Sequence, residues 1–174
     1  MNIRVKHFLH QEKQWCVLAN TWAEQKSVRR YFQTVSRLGD GLVWYLLMAV
    51  IMLVEGARGI PVFLHMAVMA VTTTLLYRVL KKWTKRPRPF AKDARIHVWT
   101  APLDEFSFPS GHTLHAVSFT LVALAYYPIL APVLVPLAIS IALSRVILGL
   151  HYPSDVFAAT VIGSVLAWLS FFIF

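Results

Sequence analysis

Charge is scarce in this chain. Only 14% of its 174 residues are Asp, Glu, Lys or Arg, while 57% are hydrophobic and the mean hydropathy is +0.59. A soluble domain carries about a quarter charged residues, so this balance excludes an ordinary soluble fold and makes the bilayer the expected solvent. Cysteine is reduced to one residue, Cys16, which excludes an internal disulfide framework and a multi-cysteine metal site. Internal repeats and low-complexity tracts are absent, so a solenoid is not expected. Arg4, Lys6, Glu12 and Lys13 interrupt the apolar core that a cleavable signal peptide requires, so none is expected. At 19.8 kDa there is room for several membrane spans but not for a large soluble catalytic domain beside them. Any active site must therefore grow from the spans.

The charge that is present is mostly positive: 17 Lys and Arg against 8 Asp and Glu, a net charge of +9. Such an excess suits nucleic acid, anionic lipid or an anionic substrate. The apolarity argues against nucleic acid and leaves membrane lipids and an anionic substrate as the expected partners.

Along the chain, residues 1–40 are mixed. Phe8, Trp15, Leu18, Ala19 and Trp22 fall at helical spacing, as do Val28, Tyr31, Phe32, Val35 and Leu38. Two amphipathic helices fit, the second ringed by Lys26, Arg29, Arg30 and Arg37 and expected to lie in the headgroup layer; residues 1–25 are alternatively a short sixth span. Uncharged stretches then predict spans over 42–57 and 59–77, a helical hairpin over 106–144 with Pro128, Pro132 and Pro136 near its middle, and a last span over 156–174 behind Pro153. The expected fold is all-α: one polytopic membrane bundle over 1–174, with five spans and a hydrophilic active-site loop over 78–109. That loop opens with eight Lys or Arg between residues 78 and 95. Threading the spans alternately puts 16 of the 17 basic residues on or near one side, with only Arg58 on the other.

Three polar clusters fall on the basic side. The first is Lys81, then six residues, then Arg88-Pro89. The second is Pro109-Ser110-Gly111-His112, and the third is Ser144-Arg145, five residues, His151, three residues, Asp155. In this order they resemble the three-part signature of the type 2 phosphatidic acid phosphatase (PAP2) superfamily, which includes lipid phosphatases, glucose-6-phosphatase and vanadium-dependent haloperoxidases. Eleven specified positions make coincidence negligible. The span pattern is similar to that of the lipid phosphatase branch, whose members commonly have six spans; the first segment here is short and polar.

These residue types suit phosphoryl transfer, where catalysis is mostly positioning and charge stabilisation. Lys81, Arg88 and Arg145 supply three cations, the arginines with a planar fork that can meet two oxygens at once. Ser110 is expected to cap the helix that follows, and Gly111 lets the backbone approach an anion at that helix N-terminus. His151 is the candidate nucleophile, Asp155 its orienting partner through the other ring nitrogen, and His112 the general acid and base. The resemblance implies the same roles at these positions. No metal and no cofactor is expected, since Asp104 and Glu105 lie in a loop and Asp155 is already assigned.

The remaining polar residues have plainer readings. Lys82, Lys85, Arg86, Lys92 and Arg95 are read as surface charges meeting anionic lipid. His65 and His115 are read as packing residues, Asp40 as a cap for the next helix, Glu55 as a partner of Arg58, and the six tryptophans as interfacial anchors. The expected function is metal-independent hydrolysis of a lipid phosphate or diphosphate through a phosphohistidine. Phosphatidic acid, phosphatidylglycerophosphate and undecaprenyl diphosphate are all substrates the resemblance implies. Phosphotransfer to a lipid or sugar acceptor and non-catalytic lipid binding are the alternatives. The expected location is a bacterial inner (plasma) membrane. Charge bias places the basic side in the cytoplasm, whereas many relatives face the periplasm. The sequence assigns no oligomeric state.

Overall fold

The computed structural model describes residues 3–174; Met1, Asn2 and the side chains of residues 3–6, among them Arg4 and Lys6, lie outside the described residues. Among the described residues seven α-helices follow one another: α1 (Ile3–Thr21), α2 (Lys26–Leu38), α3 (Leu42–Glu55), α4 (Ile60–Thr84), α5 (Gly111–Tyr126), α6 (Ala131–Ile147) and α7 (Pro153–Ser170). There is no strand among the described residues. Short 3-10 turns join α1 to α2, α3 to α4 and α5 to α6.

Most helix ends follow the local chemistry. Ser110 caps α5 by accepting from the Thr113 N–H, and Pro153 occupies the first turn of α7, where its missing N–H costs nothing. The hairpin reverses at the 3-10 turn Pro128–Leu130, whereas Pro136 is accommodated inside α6. One boundary differs from expectation in a way that matters for the site. Helix α4 continues past Tyr77 to Thr84 and stops where Pro87 and Pro89 forbid further helix, with Lys85 left-handed at φ 46°. Lys81 therefore stands on a rigid helix and not in a loop.

Three segments are long and apolar enough to cross a membrane: Leu42–Ala91, which holds both α3 and α4, Pro128–Ile147 and Pro153–Ser170. At 16 residues, α5 is shorter than the roughly 20 a bilayer core asks for. The most apolar windows of these segments are only 22–28% buried, so their hydrophobic residues mostly face outward. Leu53, Ile129, Phe157 and Trp168 are examples. An apolar exterior of this extent requires a lipid solvent.

The core is built by α3, α4, α5 and α6 from Trp44, Met48, Met66, Met69, Phe119, Val122, Leu134 and Ile141, with Ala167 of α7. Trp44 is thus a core residue, in tilted contact with Phe119 at 5.3 Å, and not an interfacial anchor. Helix α5 packs against α4, α6 and α7. Its approach to α7 depends on Gly163: a Cβ there would stand 3.1 Å from both the Leu114 carbonyl and the Ser118 hydroxyl, which itself donates to the Gly163 carbonyl. His65 is structural as expected, bonded to Tyr126 and Ser170 and stacked on Phe174. Glu55 and Arg58 form no ion pair among the described residues.

Candidate active site

At one end of the bundle a cavity of about 480 Å³ collects residues from six separate places in the chain, one of them the α2–α3 turn with Gly39 and Asp40. Helix α4 presents Tyr77, Arg78, Lys81 and Lys82, a spacing that puts all four on one helical face. The α4–α5 connection adds Arg88, the start of α5 adds Gly111 and His112, α6 adds Arg145, and the α6–α7 turn adds His151. Six of the eight residues expected in the site therefore meet around one space, and the other two stand just behind it.

Three of the lining groups are buried cations: Lys81, Arg88 and Arg145 are 5%, 3% and 2% exposed. A buried cation is costly unless paired. Lys81 and Arg88 share one carboxylate, Asp104, at 2.6 and 2.8 Å, and each also donates to a carbonyl of the same loop, Phe106 and Asp104 respectively. Burial opposes ionisation of Asp104, but the hydrogen bonds and charges of Lys81 and Arg88 outweigh it and hold the carboxyl below its usual range. Arg145 has no carboxylate partner among the described residues. It donates only to the Ser36 hydroxyl, and its Nε is unpartnered. The site therefore contains more buried positive charge than its own acids neutralise.

His151 lies deep in this cationic wall. Burial, then the charges of Arg145, Arg88 and Lys81, push its pKa well below the usual imidazole range, so the ring is neutral at pH 7. Nε2 accepts a long 3.4 Å contact from the Arg88 guanidinium, and Nδ1 is 3.6 Å from the Asp155 carboxylate without a hydrogen bond. The expected Asp155–His151 hydrogen bond is thus not formed here. Asp155 is engaged elsewhere: Oδ2 accepts the Tyr152 N–H, and Oδ1 accepts from Arg86 at 2.5 Å. Asp155 is completely buried as the third residue of α7, where it closes the helix's first turn.

Arg86 is a correction to the surface reading. Its other nitrogen pairs with Glu12 of α1 at 2.7 Å, and its guanidinium lies 4.2 Å over the Tyr152 ring. Glu12, 1% exposed, also accepts the Ser154 N–H. A Glu12–Arg86–Asp155 chain therefore braces the turn that carries His151. Lys82 lines the cavity, whereas Arg95 is exposed and paired with Asp93.

Ser110 is placed as expected at the α5 N-cap, but its buried hydroxyl accepts from the Thr113 side chain at 3.0 Å and stands behind the cavity. Gly111 and His112 line the cavity directly. Asp40 does not cap α3; its Oδ1 is 2.5 Å from His112 Nε2. His115 also reaches the cavity, bonded to Thr74 and stacked on Phe119.

The N-terminal helices belong to the site's scaffold. Asn20 of α1 bonds the carbonyls of His97 and Ile147 and the His97 N–H, and Ser36 of α2 holds Arg145. Residues 12, 20, 36, 40 and 86 carry no motif; Glu12, Asn20 and Ser36 are polar residues within helices, whereas Asp40 lies in a turn and Arg86 in a basic loop that give no signal of their partners.

Residues 62–174 match the family model described as the PAP2 superfamily. Among curated proteins, the chain is 32% identical over 56% of its length to phosphatidylglycerophosphatase B of Bacillus subtilis, covering 51% of that protein. It is 29% identical over 79% of its length to undecaprenyl-diphosphatase of Sulfolobus acidocaldarius, covering 65% of that protein. The chain thus spans about half to two thirds of the length of these relatives. Among solved structures, the crystal structure of Aquifex aeolicus LpxE superposes with a TM-score of 0.76 at 26% identity, covering 91% of this chain and 93% of that one. With all three signature clusters inside the matched region and gathered around one cavity, the chain belongs to the PAP2 superfamily.

Proposed function

We propose that this protein hydrolyses a phosphate or diphosphate ester of a membrane lipid, without a metal ion, through a phosphohistidine at His151. The observation that carries the reading is Arg145: a buried guanidinium with no acidic partner among the described residues, beside a buried neutral imidazole, suits an anion. The names of the relatives, a phosphatidylglycerophosphatase and an undecaprenyl-diphosphatase, point to lipid phosphates as that anion. The bundle crosses the membrane five times, with α3 and α4 as separate spans and α5 as a short one, so lipid tails stay beside the helices while the headgroup enters the cavity. The membrane is a bacterial plasma membrane.

The lone pair of His151 Nε2 attacks phosphorus as the ester P–O bond breaks, and His112 gives its proton to the leaving oxygen. Arg88 moves from Nε2 to a phosphoryl oxygen, which it shares with Lys81, Arg145 and the Gly111 and His112 amides as charge spreads over the equatorial oxygens. The His151 Nδ1–H then points its growing positive charge at Asp155. Water, losing a proton to His112, attacks the phosphohistidine, breaks the P–N bond and releases inorganic phosphate with His151 neutral again. Among the described residues no group of three or more His, Cys, Asp or Glu side chains could hold a metal ion, and the three cations supply the charge a metal otherwise would.

The test is phosphate release by the purified protein from phosphatidic acid, phosphatidylglycerophosphate and undecaprenyl diphosphate in excess chelator. Activity on at least one, inhibited by vanadate and reduced at least about a thousandfold in His151→Ala, is expected. Strict dependence on added magnesium, or full activity in His151→Ala, would contradict the proposal.

A further inference from the structure

Asp40 reaches the site from outside all three signature clusters. It sits in the Gly39-Asp40-Gly41 turn between α2 and α3, where Gly41 is required and Gly39 packs tightly. A Cβ on Gly39 would come within 3.0 Å of the Ile141 side chain on α6, one helical turn before Arg145. Gly41 adopts φ 130°, and a Cβ there would stand 2.9 Å from the Tyr45 ring. The turn is closed by bonds from the Gly39 and Asp40 amides to Val35 and Arg37, and from the Trp44 and Tyr45 amides to Gly41. So held, an aspartate next to a helix start gives up the capping role its position favours and directs Oδ1 to His112 Nε2 at 2.5 Å.

The charges around His112 show why a carboxylate belongs there. Facing it are Arg145 on α6, Lys81 on α4, His151 on the α6–α7 turn and His115 on its own helix. Arg78, Lys82, Arg88, Asp104 and Glu105 line the same cavity, with Asp104 already taken by Lys81 and Arg88. The cations oppose a proton on the His112 ring, and Asp40 is the carboxylate in hydrogen-bond contact with it.

We propose that Asp40 is the positioning residue for acid–base catalysis by His112. Its carboxylate accepts the Nε2–H, fixes the ring and stabilises the protonated form, which leaves Nδ1–H to carry the proton to the leaving oxygen and to take one back from water. The inference rests on the phosphatase reading above.

The experiment compares wild type, Asp40→Asn and Asp40→Glu on a lipid monoester, whose alkoxide leaving group needs a proton, and on p-nitrophenyl phosphate, whose leaving group needs little. In Asp40→Asn, kcat on the lipid falls by about tenfold to a hundredfold, a fraction of the roughly 10²–10⁴ a general acid contributes, while KM hardly moves. Only the protonated ring can donate, so the alkaline limb of the kcat profile moves to lower pH. The loss on p-nitrophenyl phosphate is several-fold smaller, and Asp40→Glu recovers part of the activity. Parallel losses on both substrates with an unchanged pH profile overturn the proposal. An NMR titration of His112 in the solubilised protein reads the coupling without catalysis: deprotonation at lower pH in Asp40→Asn supports it, and an unchanged titration overturns it. A wild type that releases no phosphate from either substrate would instead fail the phosphatase reading, with the titration still deciding the Asp40–His112 pair.

Discussion

An imidazole attacks phosphorus only while unprotonated, and the surroundings of His151 keep it so. Burial and three neighbouring cations hold its pKa well below the usual range, so the attacking form persists as the pH falls. The acid limb of kcat/KM, corrected for ionisation of the substrate, is therefore expected below the ordinary imidazole value of about 6.5. A limb at or above that value would show that His151 titrates as an exposed histidine does. The motif residues were readable because each chemical role demands a particular side chain at fixed spacing. Asp40 was not, because its pairing with His112 bridges 72 residues and a lone aspartate between glycines equally well signals a helix cap. Asp155 was readable as a site residue, but its engagement by Arg86 was not, since a basic loop gives no sign of which cation turns inward.

At the scale of the element, the α6–α7 turn has to hold His151 while three cations press around it. The brace is the Glu12–Arg86–Asp155 chain, in which two fully buried carboxylates depend on one guanidinium. Arg86→Met leaves both acids without that partner. Breaking a buried pair costs about 3–5 kcal/mol, so a large drop in thermal stability in detergent is expected, rising back partway when Glu12→Gln is added. An unchanged unfolding temperature would mean the chain is surface decoration. The N-terminal helices were legible as helices from their apolar spacing. Their docking was not: a basic amphipathic stripe reads equally as a membrane-surface helix, and only the folded chain brings Asn20, Ser36 and Glu12 to the site. Helix α4 runs past Tyr77 because the basic residues from Arg78 onward end the uncharged stretch but not the helix, whose true stop is the pair of prolines at 87 and 89.

For the whole molecule, the polar groups gather at one end and the opposite end is nearly bare. The C-terminal Phe174 ring stacks on His65, 4.3 Å between centroids, towards the end of α4 remote from Lys81. From the charge excess, the positive-inside rule predicts a cytoplasmic active end. A reporter fused after Phe174 should then be active only outside the plasma membrane, and a cytoplasmic signal would reverse the orientation. Fold class was legible because hydropathy governs what a bilayer admits; the number of crossings was less so, since α5 is short and α3 and α4 run together through the turn at Gly56–Gly59.

The most direct measurement is rapid quenching of the enzyme with a lipid substrate carrying labelled phosphate, followed by peptide mapping. An acid-labile, base-stable phosphohistidine on the peptide containing His151 is the predicted result, and it accumulates in His112→Ala given labelled p-nitrophenyl phosphate, whose leaving group needs little acid while hydrolysis still lacks its base. Labelling of any other residue, or single-turnover phosphate release with no labelled protein at any time, would contradict two imidazoles acting in turn on one phosphorus atom.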